Sequence, residues 1–359
     1  MGAVKALRPV LPALLLLGGL AATFPGVFFG GKTLAALPGS PGLTHRAGVP
    51  DADGARPQLD ATVTPGLDTS GAFVDEPLLR VASAQIKDGR FPLWNPYAAL
   101  GTPLFAAFQT APLSPLRWPL LAWPDVPWMW DLVYLGRFLI AGLLTWSWLR
   151  NRGLGAPAAM TGAFSFMLTG YFVLHASMHN LGSEIWLPGM LWACDAHGRT
   201  GKRGSLAAIA ALGWLSATGG NPESCVIAAG AAVLWTLAHS RAWGASRVLR
   251  MVTALVLGCL AAGPVWTMGF EYLAVSAHHH PASTGTDAFR PWAIAELLLP
   301  GVYRSADNPH HILSVLPPTL GLVVLALAKA ATLGPRGSRL RSDTYLPVTG
   351  LGIFMLIGL

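Results

Sequence analysis

The residues best suited to chemistry lie between Gly66 and Pro77, a stretch that reads Gly-Leu-Asp-Thr-Ser-Gly-Ala-Phe-Val-Asp-Glu-Pro. It offers three carboxylates, Asp68, Asp75 and Glu76, just ahead of an amphipathic segment. A carboxylate placed there can take a proton from an acceptor hydroxyl or hold a divalent ion. Pro77 suits the first turn of a helix, so Asp75 or Glu76 serves equally well as a helix cap. Taken alone, these residue types favour the cap.

A second run, Gly89 to Phe105, reads Gly-Arg-Phe-Pro-Leu-Trp-Asn-Pro-Tyr-Ala-Ala-Leu-Gly-Thr-Pro-Leu-Phe. Trp94, Tyr97 and the prolines suit a rigid, aromatic-walled groove for a lipid or a sugar ring. Lys87 and Arg90 can meet a phosphate, and Asn95 and Gln109 add neutral polar groups to the same region. Trp and Tyr also anchor chains at membrane interfaces without any further role. The histidines are a third set. His278, His279, His280, His310 and His311 fall in one polar segment, and with an acidic residue they have the chemistry of a divalent-metal site. Three consecutive histidines cannot all ligate one ion with a relaxed backbone, which favours a solvated run. His175 and His179 are four apart and share a helix face, where hydrogen bonding is the simpler role. Nucleotide-binding glycine loops, Ser-His-Asp arrangements and zincin motifs do not occur.

These candidates need elements to hold them, and composition says what those are. Of 359 residues, 53% are hydrophobic and only 11% charged, with a mean hydropathy of +0.49. A soluble domain carries about 25% charged residues, so the chain is expected to be an integral membrane protein. The net charge of +7 is spread in short clusters between apolar runs. That distribution sets orientation in a bilayer, and it lacks the basic stripe of a nucleic-acid binder. Cys194, Cys225 and Cys259 all sit in apolar runs without metal-ligand spacing, and read as packing residues.

A membrane-spanning helix needs about 20 apolar residues. That window predicts nine spans, near 10–30, 128–149, 157–175, 181–197, 205–220, 222–240, 251–270, 312–333 and 345–359. The first follows Lys5 and Arg8, as a signal peptide would, but the apolar segments after it favour an uncleaved span. The last stops at Leu359 inside an apolar run, as in a piece of a longer protein. Basic residues cluster at Arg150 and Arg152, at Arg199, Lys202 and Arg203, at Arg241, Arg247 and Arg250, and at Arg336, Arg339 and Arg341. With Lys5 and Arg8 they fall on one side of a nine-span topology, which predicts a cytoplasmic N-terminus in a bacterial plasma membrane. Asp195 and Asp343 share that side. Asp131, Glu184, Glu223 and Glu271 fall near the outer ends of spans, a pattern that suggests an outer ring of carboxylates.

The expected organisation is therefore a first span over 1–30, an outer loop over 31–127, spans two to seven over 128–270, a second outer loop over 271–311, and spans eight and nine over 312–359. Loops of such length usually serve a function. The first begins with a Gly/Pro/Asp-rich stretch, Leu37 to Gly66. Leu78, Leu79, Ala82 and Ile86 then follow at helical spacing, predicting a helix over 76–87 lying at the membrane surface. Prolines at 92, 96, 103, 112, 115 and 119 exclude a long helix after it. Arg137 is the odd residue of span two, since an arginine inside a membrane is costly and faces a partner or a cavity.

Taken in order, several motifs resemble the YfhO-like family of bacterial membrane proteins. They are Gly-Arg-Phe-Pro-Leu-Trp-Asn-Pro-Tyr, Gly-Thr-Pro-Leu, Ser114-Pro115-Leu116, Arg137, Gly170-Tyr-Phe, His179-Asn180, Trp186-Leu-Pro188, Gly219-Gly-Asn-Pro-Glu223, Pro264, Glu271 and Ser276. The resemblance covers roughly 60–330. It implies an all-α, polytopic transmembrane bundle of the GT-C glycosyltransferase kind. Such enzymes take a sugar from a polyprenyl-phosphate carrier and pass it to a cell-envelope glycan or polymer at the outer face. The catalytic base would be Asp68, Asp75 or Glu76. The polar residues of the motifs and their surroundings would bind substrate: Arg80, Lys87, Arg90, Trp94, Asn95, Tyr97, Gln109, Arg137, His179, Asn180, Glu184, Asn221, Glu223 and Glu271. Arg117, Arg290 and Arg304 join Arg80, Lys87 and Arg90 as candidate cations for the leaving phosphate. Asn221 stands where the family often has a histidine. No cofactor is required by the motifs, and a divalent ion is the one candidate. Membrane lipid is the expected surrounding, and a non-catalytic lipid or polysaccharide transporter or an inactive subunit is the competing expectation.

Overall fold

The computed structural model describes residues 10–35, 74–98, 100–169, 172–173 and 175–276. Asp68, the histidines from 278 onward, Arg290, Arg304 and the two last expected spans lie outside them. Within the described residues the chain is all-α apart from one small hairpin. The helices are α1 (Leu11–Thr23), α2 (Pro25–Phe29), α3 (Glu76–Lys87), α4 (Trp118–Ala122), α5 (Pro127–Asn151), α6 (Ala156–Met167), α7 (Leu181–Glu184) and α8 (Leu187–Thr200). They continue as α9 (Arg203–Ala217), α10 (Pro222–Ala238), α11 (Ser240–Trp243), α12 (Ala245–Leu260) and α13 (Gly263–Val275). Strands β1 (Trp94–Asn95) and β2 (Thr102–Pro103) pair antiparallel, with Trp94 opposite Pro103 and Asn95 opposite Thr102.

Helix α5 is the axis of the molecule and packs against α1, α6 and α8. It starts at Pro127, which loses no helical hydrogen bond in a first turn. It is the one described helix long and apolar enough to cross a membrane by itself, while α12 and α13 qualify as a pair bent by 65°. That bend falls inside the segment expected as one span at 251–270. Pro264 explains it: without an N–H, proline opens a helix and cannot continue one. The main core gathers Leu16, Leu20, Phe138, Ala141, Met167, Met190 and Trp235. Phe138 stacks between Phe24 and Phe172 at centroid distances of 5.8 and 6.0 Å.

Two glycine contacts set close spacings. On α12, a Cβ at Gly258 would lie 2.1 Å from the Ala210 carbonyl oxygen of α9, so these backbones meet without side chains between them. Gly182 of α7 and Gly219, just before α10, do the same: a Cβ at Gly182 would lie 2.3 Å from the Gly219 oxygen. A second, smaller core sits beside α5 and carries α3. It consists of Ala35, Leu79, Ala82, Leu104, Leu120, Leu121, Trp130, Val133 and Tyr134. Helix α3 has the bounds its apolar spacing predicts, buries Leu79 and Ala82, and ends where Gly89 turns at φ +74°.

Candidate functional site

Helix α3 is tethered so that the turn before it is sealed against α5. Asp75 occupies that turn with a relative exposure of 2%, and Arg117 and Arg137 are each 1% exposed. Arg117 ends a short 3-10 turn, Pro115–Arg117, and Arg137 comes from the interior of α5. The Arg117 Nη2 donates to Asp75 Oδ2 at 3.3 Å. The second oxygen, Oδ1, lies 3.5 Å from His179 Nδ1. That is an ion-pair distance, longer than a formed hydrogen bond. Arg137 Nη1 donates to the Met178 carbonyl at 2.7 Å, and its guanidinium carbon stands 5.3 Å from the Tyr134 ring centroid.

One guanidinium thus pairs directly with the carboxylate, and a second, that of Arg137, is near enough for its charge to act on it. Burial by itself would push the Asp75 carboxyl up, but the Arg117 charge, with His179 and Arg137 behind it, outweighs burial and holds it below the usual carboxylate range. Asp75 is therefore ionised at neutral pH. The guanidiniums remain under-used: Arg117 Nε and Nη1 and Arg137 Nε and Nη2 are buried without hydrogen-bond partners. Leaving a buried donor unpaired costs about 1–3 kcal/mol, more for a charged group. Four such donors beside one carboxylate describe a cradle for an anion.

The capping role that Pro77 suggested for Asp75 does not form, since its side chain makes no cap hydrogen bond to α3. The pull of a buried guanidinium exceeds that of a backbone N–H, and the carboxylate turns to Arg117. Glu76 is 1% exposed and bonded to Arg80 one turn along α3, and Arg80 also binds Asp125. Glu76 thus pairs with Arg80 through Oε1, while its Oε2 is buried without a hydrogen-bond partner.

The remaining expected residues spread out. Asn180 adjoins His179 at the start of α7 and is partly buried. Glu184 accepts from Ser224 Oγ at 2.7 Å, and Asn221 caps α10 by accepting from Ser224 N at 2.9 Å. Asp131 accepts from Leu34 N at 2.7 Å and from Thr33. Glu223 and Glu271 are exposed. Asp131 and Glu184 thus have separate local partners, and no contact links these four carboxylates among the described residues. Lys87, Arg90, Trp94 and Tyr97 are exposed, with Arg90 paired to Asp88 at 2.7 Å. Asn95 is buried and accepts from Tyr97 N at 3.0 Å, which shapes the turn rather than a groove. Gln109 is half-buried, with its backbone N–H on the Ala107 carbonyl.

Of the expected set, Asp75, Arg137 and His179 come together. Arg117, first one cation among several, moves to the centre, and Tyr134 joins without having been singled out. Its signal was the three-residue spacing to Arg137, which puts both on one face of α5. Among the described residues, no group of three or more His, Cys, Asp or Glu is placed to hold a metal ion. Comparison of the chain with family models, curated proteins and solved structures finds no match.

Proposed function

We propose that this chain transfers a sugar from a polyprenyl-phosphate carrier to a cell-envelope acceptor at the outer face of a bacterial plasma membrane. In this reading the helices form a nine-span bundle with a cytoplasmic N-terminus, and the resemblance to YfhO-like and GT-C proteins is a true kinship. One observation carries the reading: Arg117 and Arg137 present four unpartnered buried N–H donors beside a single ionised carboxylate. Two guanidiniums against Asp75 leave one positive charge. That matches the single negative charge of a lipid-phosphate-sugar diester better than the higher charge of a diphosphate. When the bond from the sugar to the phosphate breaks, the phosphate gains charge, and preorganised guanidiniums stabilise charge that develops in this way.

The placement of the cluster supports the same reading. Arg137 stands in the N-terminal half of α5, whereas Arg150 and Arg152 mark its other end. Under the positive-inside rule the cluster then faces the outer leaflet, where a carrier lipid presents its headgroup.

The test is transfer from radiolabelled polyprenyl-phosphate sugars in membranes carrying the full-length protein. Wild type is compared at matched expression with Arg137→Gln, Asp68→Asn, Asp75→Asn and Glu76→Gln. Transfer by wild type, with loss in Arg137→Gln and Asp75→Asn, is the expected result. If wild type transfers from no donor, or every variant works normally, the reading fails and a transporter or inactive subunit takes its place.

A further inference from the structure

We infer that His179, oriented by Asp75, accepts the proton of the acceptor hydroxyl, so that Asp75 is a positioning residue and not the base. The inference rests on the glycosyl-transfer reading. Its ground is orientation. A base must turn a lone pair to the proton it takes, and Asp75 has one oxygen on Arg117 and the other towards His179. His179 keeps 16% exposure. Its buried nitrogen is Nδ1, which has no hydrogen-bond partner and stands 3.5 Å from Asp75 Oδ1, itself without a partner. A closure of a few tenths of an ångström makes that bond, as catalytic contacts often do when a substrate binds.

An ionised Asp75 accepts and cannot donate, so it fixes the proton of a neutral His179 on Nδ1 and leaves Nε2 as the free acceptor. The anion placed against the imidazole is Asp75, before α3. The charges acting on that carboxylate are Arg117 of the 3-10 turn and Arg137 of α5, with His179 itself. The turn before α10 contributes Gly220, which carries no charge.

The acceptor O–H gives its proton to Nε2 while its oxygen forms a bond to the anomeric carbon. The bond from that carbon to the phosphate oxygen breaks, and its electron pair leaves on the lipid phosphate between Arg117 and Arg137. The imidazolium rests against Asp75 and later returns its proton to water. Arg137 also holds the Met178 carbonyl, so the residue before His179 is tied to the anion cradle.

Two measurements on the full-length protein in proteoliposomes decide it. In the first, transfer from radiolabelled polyprenyl-phosphate sugar is followed against pH for wild type, His179→Gln and His179→Ala. The expected loss is about 100-fold or more, with donor binding retained, the acid limb of the profile gone, and partial rescue of His179→Ala by added imidazole. Turnover of His179→Gln within about threefold of wild type, with the same acid limb, overturns the inference. The second needs no activity: the tautomer of the His179 ring, read by 15N NMR in wild type and Asp75→Asn. The Nδ1–H form is expected in wild type and its depletion in the variant; the same tautomer in both overturns the dyad. If wild type transfers nothing, the transferase reading falls, and the tautomer still decides the dyad.

Discussion

Two buried carboxylate–arginine clusters stand far apart along the helices, and they differ in how completely they are satisfied. At the end of α5 near Arg150, Asp195 is 0% exposed, and its Oδ1 and Oδ2 accept from Trp235 Nε1 and Trp148 Nε1, each at 3.0 Å. Arg152 lies 3.5 Å from the same carboxylate and 5.2 Å above the Trp235 ring. His239 continues the stack between Trp235 and Trp243. Around Asp75 the same residue types leave four guanidinium donors unmet. A carboxylate satisfied on both oxygens locks α5, α8 and α10 into one register, although His239 Nε2 beside it is buried without a partner; guanidiniums left unmet have room in their bonding for something else. Burial of charge alone therefore does not set the two clusters apart; the pairing of their donors and acceptors does.

That contrast can be broken by experiment, most severely at the locked end. Asp195→Ala leaves two indole donors and a guanidinium without their acceptor, and should cost about 3–5 kcal/mol, read as a large fall in Tm of the detergent-solubilised protein. Arg137→Gln should do the reverse. Binding of a radiolabelled polyprenyl-phosphate sugar should weaken by about 10- to 100-fold, the worth of one charged hydrogen bond of about 1.5–3 kcal/mol, while Tm holds or rises because a desolvated cation is gone. A fall in Tm as large as that of Asp195→Ala would show Arg137 to be structural.

Acid sharpens the comparison further. The folded Asp75 carboxyl is held below its usual range by Arg117, His179 and Arg137 despite burial. Its stabilising contribution is therefore fully present above the unfolded value of about 3.9 and is lost as pH falls through the lower folded value. Asp75→Asn should flatten that part of the Tm profile below about pH 4. An identical acid profile in the variant would remove Asp75 from the charged cluster. The smallest effect is expected at Arg90, whose pair with Asp88 is 68% and 61% exposed. Arg90→Ala should leave Tm and donor binding unchanged, since exposed pairs contribute about 0–1 kcal/mol.

Local features were legible in the sequence where a local pattern encodes them. The spacing of Leu78, Leu79, Ala82 and Ile86 predicts a helix over 76–87, and α3 has those bounds. The apolar run at 128–149 becomes Pro127–Asn151. Arg137 announced itself as a charge within that run. What could not be read was pairing at a distance. Asp75 and Arg117 are 42 residues apart, with no periodicity joining them, and the local signal of Pro77 pointed to a cap. Arg117 carried a faint mark of burial, sitting between Leu116 and Trp118. The bend between α12 and α13 was written as Gly263-Pro264, yet hydropathy averaging runs across it. Asn221, singled out as a departure from the resembling family, serves as an ordinary helix cap.

The bare contact between Gly182 and Gly219 bears on how any mutational scan of this chain would be read. Gly182 lies three residues from His179, and Gly219 two residues before Asn221, so a hydrogen atom on each side sets the spacing of the turns behind the cradle. A methyl group at either position would drive those turns apart and disable the site from a place where no functional group exists. Both glycines would then score in the scan like catalytic residues, and only a crosslink or a distance measurement between the two turns would reveal them as spacers.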